Sequence, residues 1–413
     1  MSTSEIWVGG LGWPYDELLA ASLRARGLPA STLGPMDRDA FDRGVAALPR
    51  GQCAPALFTT GALLRRATDG SAPGRYLRLH SCGPCRYALF GLGYERALSV
   101  AGRSSVGLLD VEQSPEGLLA LAESESGGPL LDALLVGDAL AERLRRLRPH
   151  VRDVDALEAR AEGVSRALAQ ALEQGRDARE ALVAQTQWPD DLPRLPARVL
   201  PMVQLIGEPF SLHVDGPAQL NLPRVLAAAN AEVTLPPLAL WIAYQFWIAR
   251  QPAFGQSRKP ATQRVGELRR LEDALRTRFG EIMRAGEVGD YELPDVDHLA
   301  DLASPHLPSG WRAGYGHVEL GLALRALELG RAQLVLSIKS FGCLPSSSVV
   351  DAILPAALDG RLPFLALEVT GDGEAARESR LALRLGSARR MAEAASLAPS
   401  GDAATTGRAP RAG

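Results

Sequence analysis

The stretch HSCGPCRYALFGLGYERAL, residues 80–98, decides how the chain reads. It carries two thiols, Cys82 and Cys85, at CxxC spacing, followed by a run with helical periodicity. The chain holds only four cysteines, and the other two sit in comparable surroundings, Cys53 in GQCAPALFTTG and Cys343 in SFGCLPSSS. Gly83 lets the intervening chain turn tightly and Pro84 stiffens it, so both sulfurs of the pair reach one metal centre without backbone strain. The remaining thiols are isolated and remote in sequence. The spacing therefore predicts one site closed by the fold, with Cys53, Cys82, Cys85 and Cys343 ligating a 4Fe-4S cluster between two α/β lobes. Four thiolates also describe structural zinc, whose usual pattern is two close pairs in a compact knuckle. A metal-free CxxC redox dithiol is a third option, and it leaves Cys53 and Cys343 without a role.

A chain of 413 residues is too long for one ordinary core and predicts two lobes joined by helical material. With 46% hydrophobic and 23% charged residues it has the composition of a globular protein, and a net charge of -3 offers no basic field for nucleic acid. No apolar run reaches membrane-spanning length, and MSTSEIWVGG lacks the basic start and apolar core of a secretion signal. The expectation is a cytoplasmic protein without membrane contact. In that reducing setting four cysteines point to metal ligands or redox groups rather than disulfides.

The pattern predicts a doubly wound N-terminal lobe over residues 1–126, with strands at 6–9, 29–33, 76–79 and 105–111 and helices at 15–26, after Cys53 and at 87–100. Gly9, Gly10 and Gly12 follow the first strand, but their spacing misses GxGxxG and no acidic residue closes the second strand, which argues against a dinucleotide site. Residues 127–197 read as a helical connector rich in Leu, Ala, Arg and Glu, ended by Pro189, Pro193 and Pro196. A C-terminal Rossmann-like lobe over 198–396 repeats the plan, with strands at 198–206, 232–235, 333–338 and 363–369 and helices at 219–230, 349–358 and 374–395. It carries a helical insertion at 237–289, whose LALWIAYQFWIA stretch reads as core or lobe contact. Residues 397–413 have too little apolar surface to fold and are expected to be disordered.

In doubly wound sheets, functional loops gather beyond the carboxyl ends of the strands. Cys82, Cys85 and Cys343 fall there, and Cys53 lies just before a helix, where free N–H groups favour thiolate. Arg86 and Lys339 are placed to offset cluster charge. Glu208, in IGEPF, ends a strand and either binds substrate or hydrogen-bonds a loop. His317, in GYGHVELG, either donates a proton toward the cluster or is a satisfied loop histidine. His80 is a candidate outer donor to the site. Ser346, Ser347 and Ser348 either take a phosphate or cap the following helix.

Together GQCAPALFTTG, HSCGPCRYALFGLGYERAL, LIGEPFSL and SFGCLPSSSVVDAILP resemble, in the same order, the 2-hydroxyacyl-CoA dehydratase and acyl-CoA dehydratase activase-related group, including the C-terminal portion of the large CoA-enzyme activases. The CGPCR element is the most specific. The resemblance implies an iron-sulfur protein with Rossmann-like lobes in low-potential electron transfer, tied to ATP-driven activation or to dehydration of 2-hydroxyacyl-CoA thioesters. In such systems an actin-like ATPase activator supplies the electron. This chain has neither that ATPase's acidic and glycine phosphate loops nor GxxxxGKS, so any ATP hydrolysis belongs to a partner; the partners the resemblance implies are an ATP-dependent activator or a dehydratase subunit. Four cysteines would saturate one cluster, which favours electron transfer over substrate binding at iron. A true dehydratase subunit and a two-lobe binding module stapled by zinc remain the alternatives.

Overall fold

The computed structural model describes residues 4–49, 51–69, 73–80, 85–112, 124, 127–185, 192–251, 261–289, 291–311, 314–369 and 374–397. The first sheet is built from β1 (Glu5–Val8), α1 (Tyr15–Arg24), β2 (Ala30–Thr32), α2 (Arg38–Ala47), α3 (Ala54–Thr68), β3 (Gly74–His80), α4 (Phe90–Val100) and β4 (Gly107–Glu112). A run of helices follows: α5 (Gly127–Leu147), α6 (Val154–Glu173) and α7 (Ala178–Val183). The second half opens with β5 (Met202–Gly207), α8 (Pro209–His213), α9 (Leu222–Ala228) and β6 (Glu232–Thr234). Next come α10 (Leu238–Arg250), α11 (Ala261–Ala285), α12 (Val296–Ala303) and α13 (Gly316–Glu328). The chain closes with β7 (Leu334–Ser340), α14 (Asp351–Ala357), β8 (Phe364–Val369) and α15 (Glu374–Leu397).

Both sheets are four-stranded and wholly parallel, ordered β2-β1-β3-β4 and β6-β5-β7-β8, so the expected mixed α/β architecture is present twice. The repeat extends to register. Glu5 pairs with Gly74 as Val203 pairs with Leu334, and Arg75 pairs with Gly107 as Val335 pairs with Phe364. Counting from these pairs, Gly9 and Gly10 of the first sheet correspond to Gly207 and Glu208 of the second. Parallel strands must be covered on both faces, and the sequence supplies this. Ile6 and Val8 face one apolar core while Trp7 between them faces another. All seven residues of β7 are buried, Lys339 included.

Several elements differ from expectation. Residues 219–230 are not one helix: a 3-10 turn at Gly216–Gln219 gives way to α9 because Leu220 and Asn221 take left-handed conformations, with φ of 54° and 51°. Helix α2 was not anticipated; Asp37 caps it by accepting from the Ala40 N–H at 2.9 Å. Gly44 and Gly61 then let α2 and α3 cross in backbone contact, since a Cβ on Gly61 would lie 1.6 Å from the Ala40 carbonyl oxygen. The aromatic stretch expected to be core is α10, with Tyr244, Phe246 and Trp247 buried. The proline-marked boundary falls partly outside the described residues, as does the expected disordered tail apart from Leu397, which ends α15. No helix among the described residues is long and apolar enough to cross a membrane.

Two buried carboxylates fasten these parts together. Asp16, in the first turn of α1, accepts from the N–H groups of Leu11 and Gly12 at 3.1 Å each. The glycine loop after β1 is thus wrapped around an internal carboxylate, which physically accounts for the missing dinucleotide signature. Asp138 of α5, 2% exposed, accepts from Tyr15 Oη at 2.8 Å and from the Leu238 and Ala239 N–H groups at 2.7 and 2.9 Å. One side chain thereby joins α1 and α5 and caps α10. Burial pushes Asp16 up to about 7 and Asp138 up to about 6.

An acid whose folded pKa is raised makes the folded state hold protons more tightly than the unfolded chain, so stability falls as pH rises through that range. His213, which burial holds down to about 3, acts oppositely, but only once the unfolded histidine protonates near 6.5. Lowering the pH from 7.5 to 6.5 is therefore expected to raise the thermal unfolding midpoint. Asp16→Asn should flatten that slope, and a wild-type midpoint that falls over this interval contradicts the assignment.

Candidate metal centre

Each described cysteine stands at the start of a helical turn. Cys53, 6% exposed, precedes α3 with Pro55 in the first turn. Cys85, half-buried, opens the 3-10 turn Arg86–Leu89. Cys343, 7% exposed, opens a π-helical turn at Leu344–Val350. Helix starts expose unsatisfied N–H groups, and here the Tyr87 N–H turns to Cys85 and the Ser346 N–H to Cys343. The three are free thiols.

Arg86 brings their loops together. Its guanidinium donates from Nη1 to the Gly51 carbonyl and from Nη2 to the Gly342 carbonyl, both at 2.6 Å. Gly51 lies two residues before Cys53 and Gly342 directly before Cys343, so the residue next to Cys85 clasps both other loops across the boundary between the sheets. The Phe58 and Phe210 rings, 6.1 Å apart, pack across the same boundary. Cys82 lies outside the described residues, as does the side chain of His80. Among the described residues, no three His, Cys, Asp or Glu side chains form a group that could hold a metal ion. The donor chemistry is nevertheless that of a soft-metal site: three thiols at helix starts in a chain whose fourth cysteine is three residues from one of them.

The second sheet contributes a carboxylate. Gly207 ends β5 with φ +141° and lies so close to β7 that a Cβ would stand 1.8 Å from the Ile338 carbonyl oxygen. That approach lets the Glu208 N–H donate to the same carbonyl at 3.3 Å. Glu208 Oε1 then accepts from Ser211 Oγ at 2.7 Å, from the Ser340 N–H at 3.0 Å and from Ser340 Oγ. Ser340 in turn accepts the Cys343 N–H on its carbonyl at 3.0 Å. Burial pushes the Cys53 thiol up to about 11; Arg86 opposes the rise, and Glu208 and Cys85 add to it. Burial, then Glu208 and Glu319, push Cys343 far above the ordinary thiol range. Unliganded, these are neutral thiols rather than activated redox thiolates.

Behind Cys343 lies a buried polar layer that sequence reasoning largely missed. Glu319, 1% exposed, accepts from Ser346 Oγ at 2.8 Å, and Cys343 Sγ lies 3.5 Å from the same hydroxyl. Burial raises Glu319 to about 7. Lys339, expected to offset cluster charge, is fully buried; it pairs with Asp351 and donates to Ser337 Oγ at 3.3 Å, and burial lowers it to about 8. The expected serine cap is not formed: Cys343 holds the cap position, Ser346 turns to Glu319, and Ser347 reaches Glu368 at 3.3 Å. His317 donates from Nε2 to the Pro308 carbonyl, 3.2 Å away, and packs on Trp247. Among the described residues its Nδ1 has no partner, and burial lowers its pKa. The usable signal for Glu319 was its place in HVELGLAL, where nearly every neighbour is apolar.

The chain matches no known family model and no curated protein. The sharpest constraint at the site is therefore its own geometry. Gly207→Ala should cost about 3 kcal/mol or more, because a side chain there meets backbone and must also adopt a positive φ. A thermal midpoint within a degree of wild type would contradict the close approach of β5 and β7.

Proposed function

We propose that the protein is an iron-sulfur redox protein in which Cys53, Cys82, Cys85 and Cys343 hold one 4Fe-4S cluster between the two α/β halves. The observation that carries the reading is the clasp of Arg86, whose two hydrogen bonds draw the Cys53 and Cys343 loops to the residue beside Cys85. Chain segments nearly 300 residues apart are gathered by one guanidinium, and three of the chain's four cysteines cap the turns it gathers.

A cluster held there would supply one-electron chemistry at low potential. The chain's own residues supply the rest. Helix starts at Cys53, Cys85 and Cys343 present N–H groups to anionic sulfur. Burial of Cys53 and Cys343 excludes water. With four thiolate ligands no coordination position is left for substrate, so the role we infer is electron transfer, as an accessory to CoA-thioester dehydration or reduction. The electron would come from an ATP-driven activator, since no phosphate-binding loop was recognised in this sequence.

Anaerobically purified protein is expected to be brown, with about four irons and four acid-labile sulfides per chain. Each of Cys53→Ser, Cys82→Ser, Cys85→Ser and Cys343→Ser should lose the colour. Colourless protein with one zinc per chain would replace this reading by a structural staple. A paramagnetic spectrum that changes on adding a 2-hydroxyacyl-CoA would instead favour a dehydratase subunit.

A further inference from the structure

The two sheets repeat each other in register but differ at one position that matters. Where the first has Gly10, the second has Glu208, at the carboxyl end of the strand that begins the sheet. In the 2-1-3-4 order this is the switch point between β5 and β7, where ligands of such sheets are held. The Glu208 side chain spans it. Three donors converge on Oε1, from Ser211, from the Ser340 backbone and from the Ser340 hydroxyl. Gly207 fixes the backbone beneath it, and Ser340 passes directly into the turn that bonds the Cys343 N–H. The carboxylate is thus fixed at one bond's remove from a cysteine loop, and among the described residues its second oxygen takes no hydrogen bond.

We propose that Glu208 is a positioning residue that sets the reduction potential of the cysteine-held centre, placing one fixed negative charge beside it at the second sheet's switch point. The inference rests on the iron-sulfur reading above. Reduction adds one electron to the centre and breaks no bond, so the product is one charge more negative. A fixed carboxylate nearby disfavours that product and lowers the potential, by an amount that solvent reduces because Glu208 is only partly buried. Arg86 supplies the counter-charge. Its guanidinium is bound to two neutral carbonyls, and because the side chain is exposed its charge is screened by solvent.

The test is Glu208→Gln in the full chain, purified anaerobically and titrated against dithionite-poised mediators while the cluster's visible and paramagnetic signals are followed. Glutamine keeps an oxygen to accept from Ser211 and Ser340 and removes only the charge. The expected result is wild-type iron and sulfide content with the midpoint potential shifted upward. Arg86→Gln should shift it downward. Unchanged iron with an unchanged potential in Glu208→Gln overturns the inference and leaves the cluster reading standing. Loss of iron from Glu208→Gln also overturns it, because the hydrogen bonds are preserved and only a ligand role would explain the loss. Wild-type protein without iron removes the cluster itself and the inference with it.

Discussion

The architecture of the candidate site depends on one guanidinium. Arg86 follows Cys85, and its geometry as a planar fork lets it bind two carbonyl oxygens held by different parts of the fold. Those carbonyls belong to glycines, and both take left-handed conformations, with φ of 86° at Gly51 and 66° at Gly342. A glycine can turn its carbonyl outward in this way where a larger residue would strain. The charge of the guanidinium acts on Cys53 and Cys85 while Nη1 and Nη2 donate to neutral acceptors. A lysine would supply the charge without the fork.

Rigidity behind the loops makes such a clasp worthwhile. On the first half, α3 carries Cys53 at its start and is fixed by backbone contact with α2 through Gly44 and Gly61. On the second half, β5 and β7 approach through Gly207, and α13 lies against α12 so closely that a Cβ on Gly321 would stand 2.3 Å from the Leu299 carbonyl oxygen. Glu319 on α13 then reaches Ser346 in the turn opened by Cys343. Cys53 and Cys343 are therefore each held by an element that has little freedom to move. Asp138 links the same frame to the helices between the sheets.

The strands, the parallel plan and its duplication were legible because buried parallel strands are short apolar runs bounded by glycine and proline, and LVLSI and MVQLIG have that form. Cysteine placement was legible for the same reason: strand ends and helix starts can be read from local pattern. What could not be read was anything carried by tertiary contact. Arg86 looked like a charge near a cluster and is a clasp between loops. The serines after Cys343 looked like caps, but a cap needs an unpartnered hydroxyl, and Glu319 and Glu368 already take two of them. Asp16 and Asp138 drew no expectation from local pattern. Their neighbours, Tyr15 and Leu18 for one and Val136 and Ala139 for the other, are buried, and an acid at such a position must find several donors.

The duplication also bears on why the two halves differ where they do. A repeat that keeps register from strand to strand gives each half the same crevice, yet two equal crevices facing one another would present two equal sets of loops. The first half fills its glycine loop with its own Asp16, which consumes the amides of Leu11 and Gly12. The second half has no acid in that place, and Glu208 instead crosses to Ser340 of the neighbouring strand. Both halves thus set a carboxylate near the carboxyl end of their first strand, Asp16 bonding the loop after β1 and Glu208 bonding Ser340 at the end of β7. The first is buried beneath its loop, whereas the second is only partly buried. The asymmetry leaves Glu208 near Cys53, Cys85 and Cys343, while Arg86 sets a positive charge near Cys53 and Cys85.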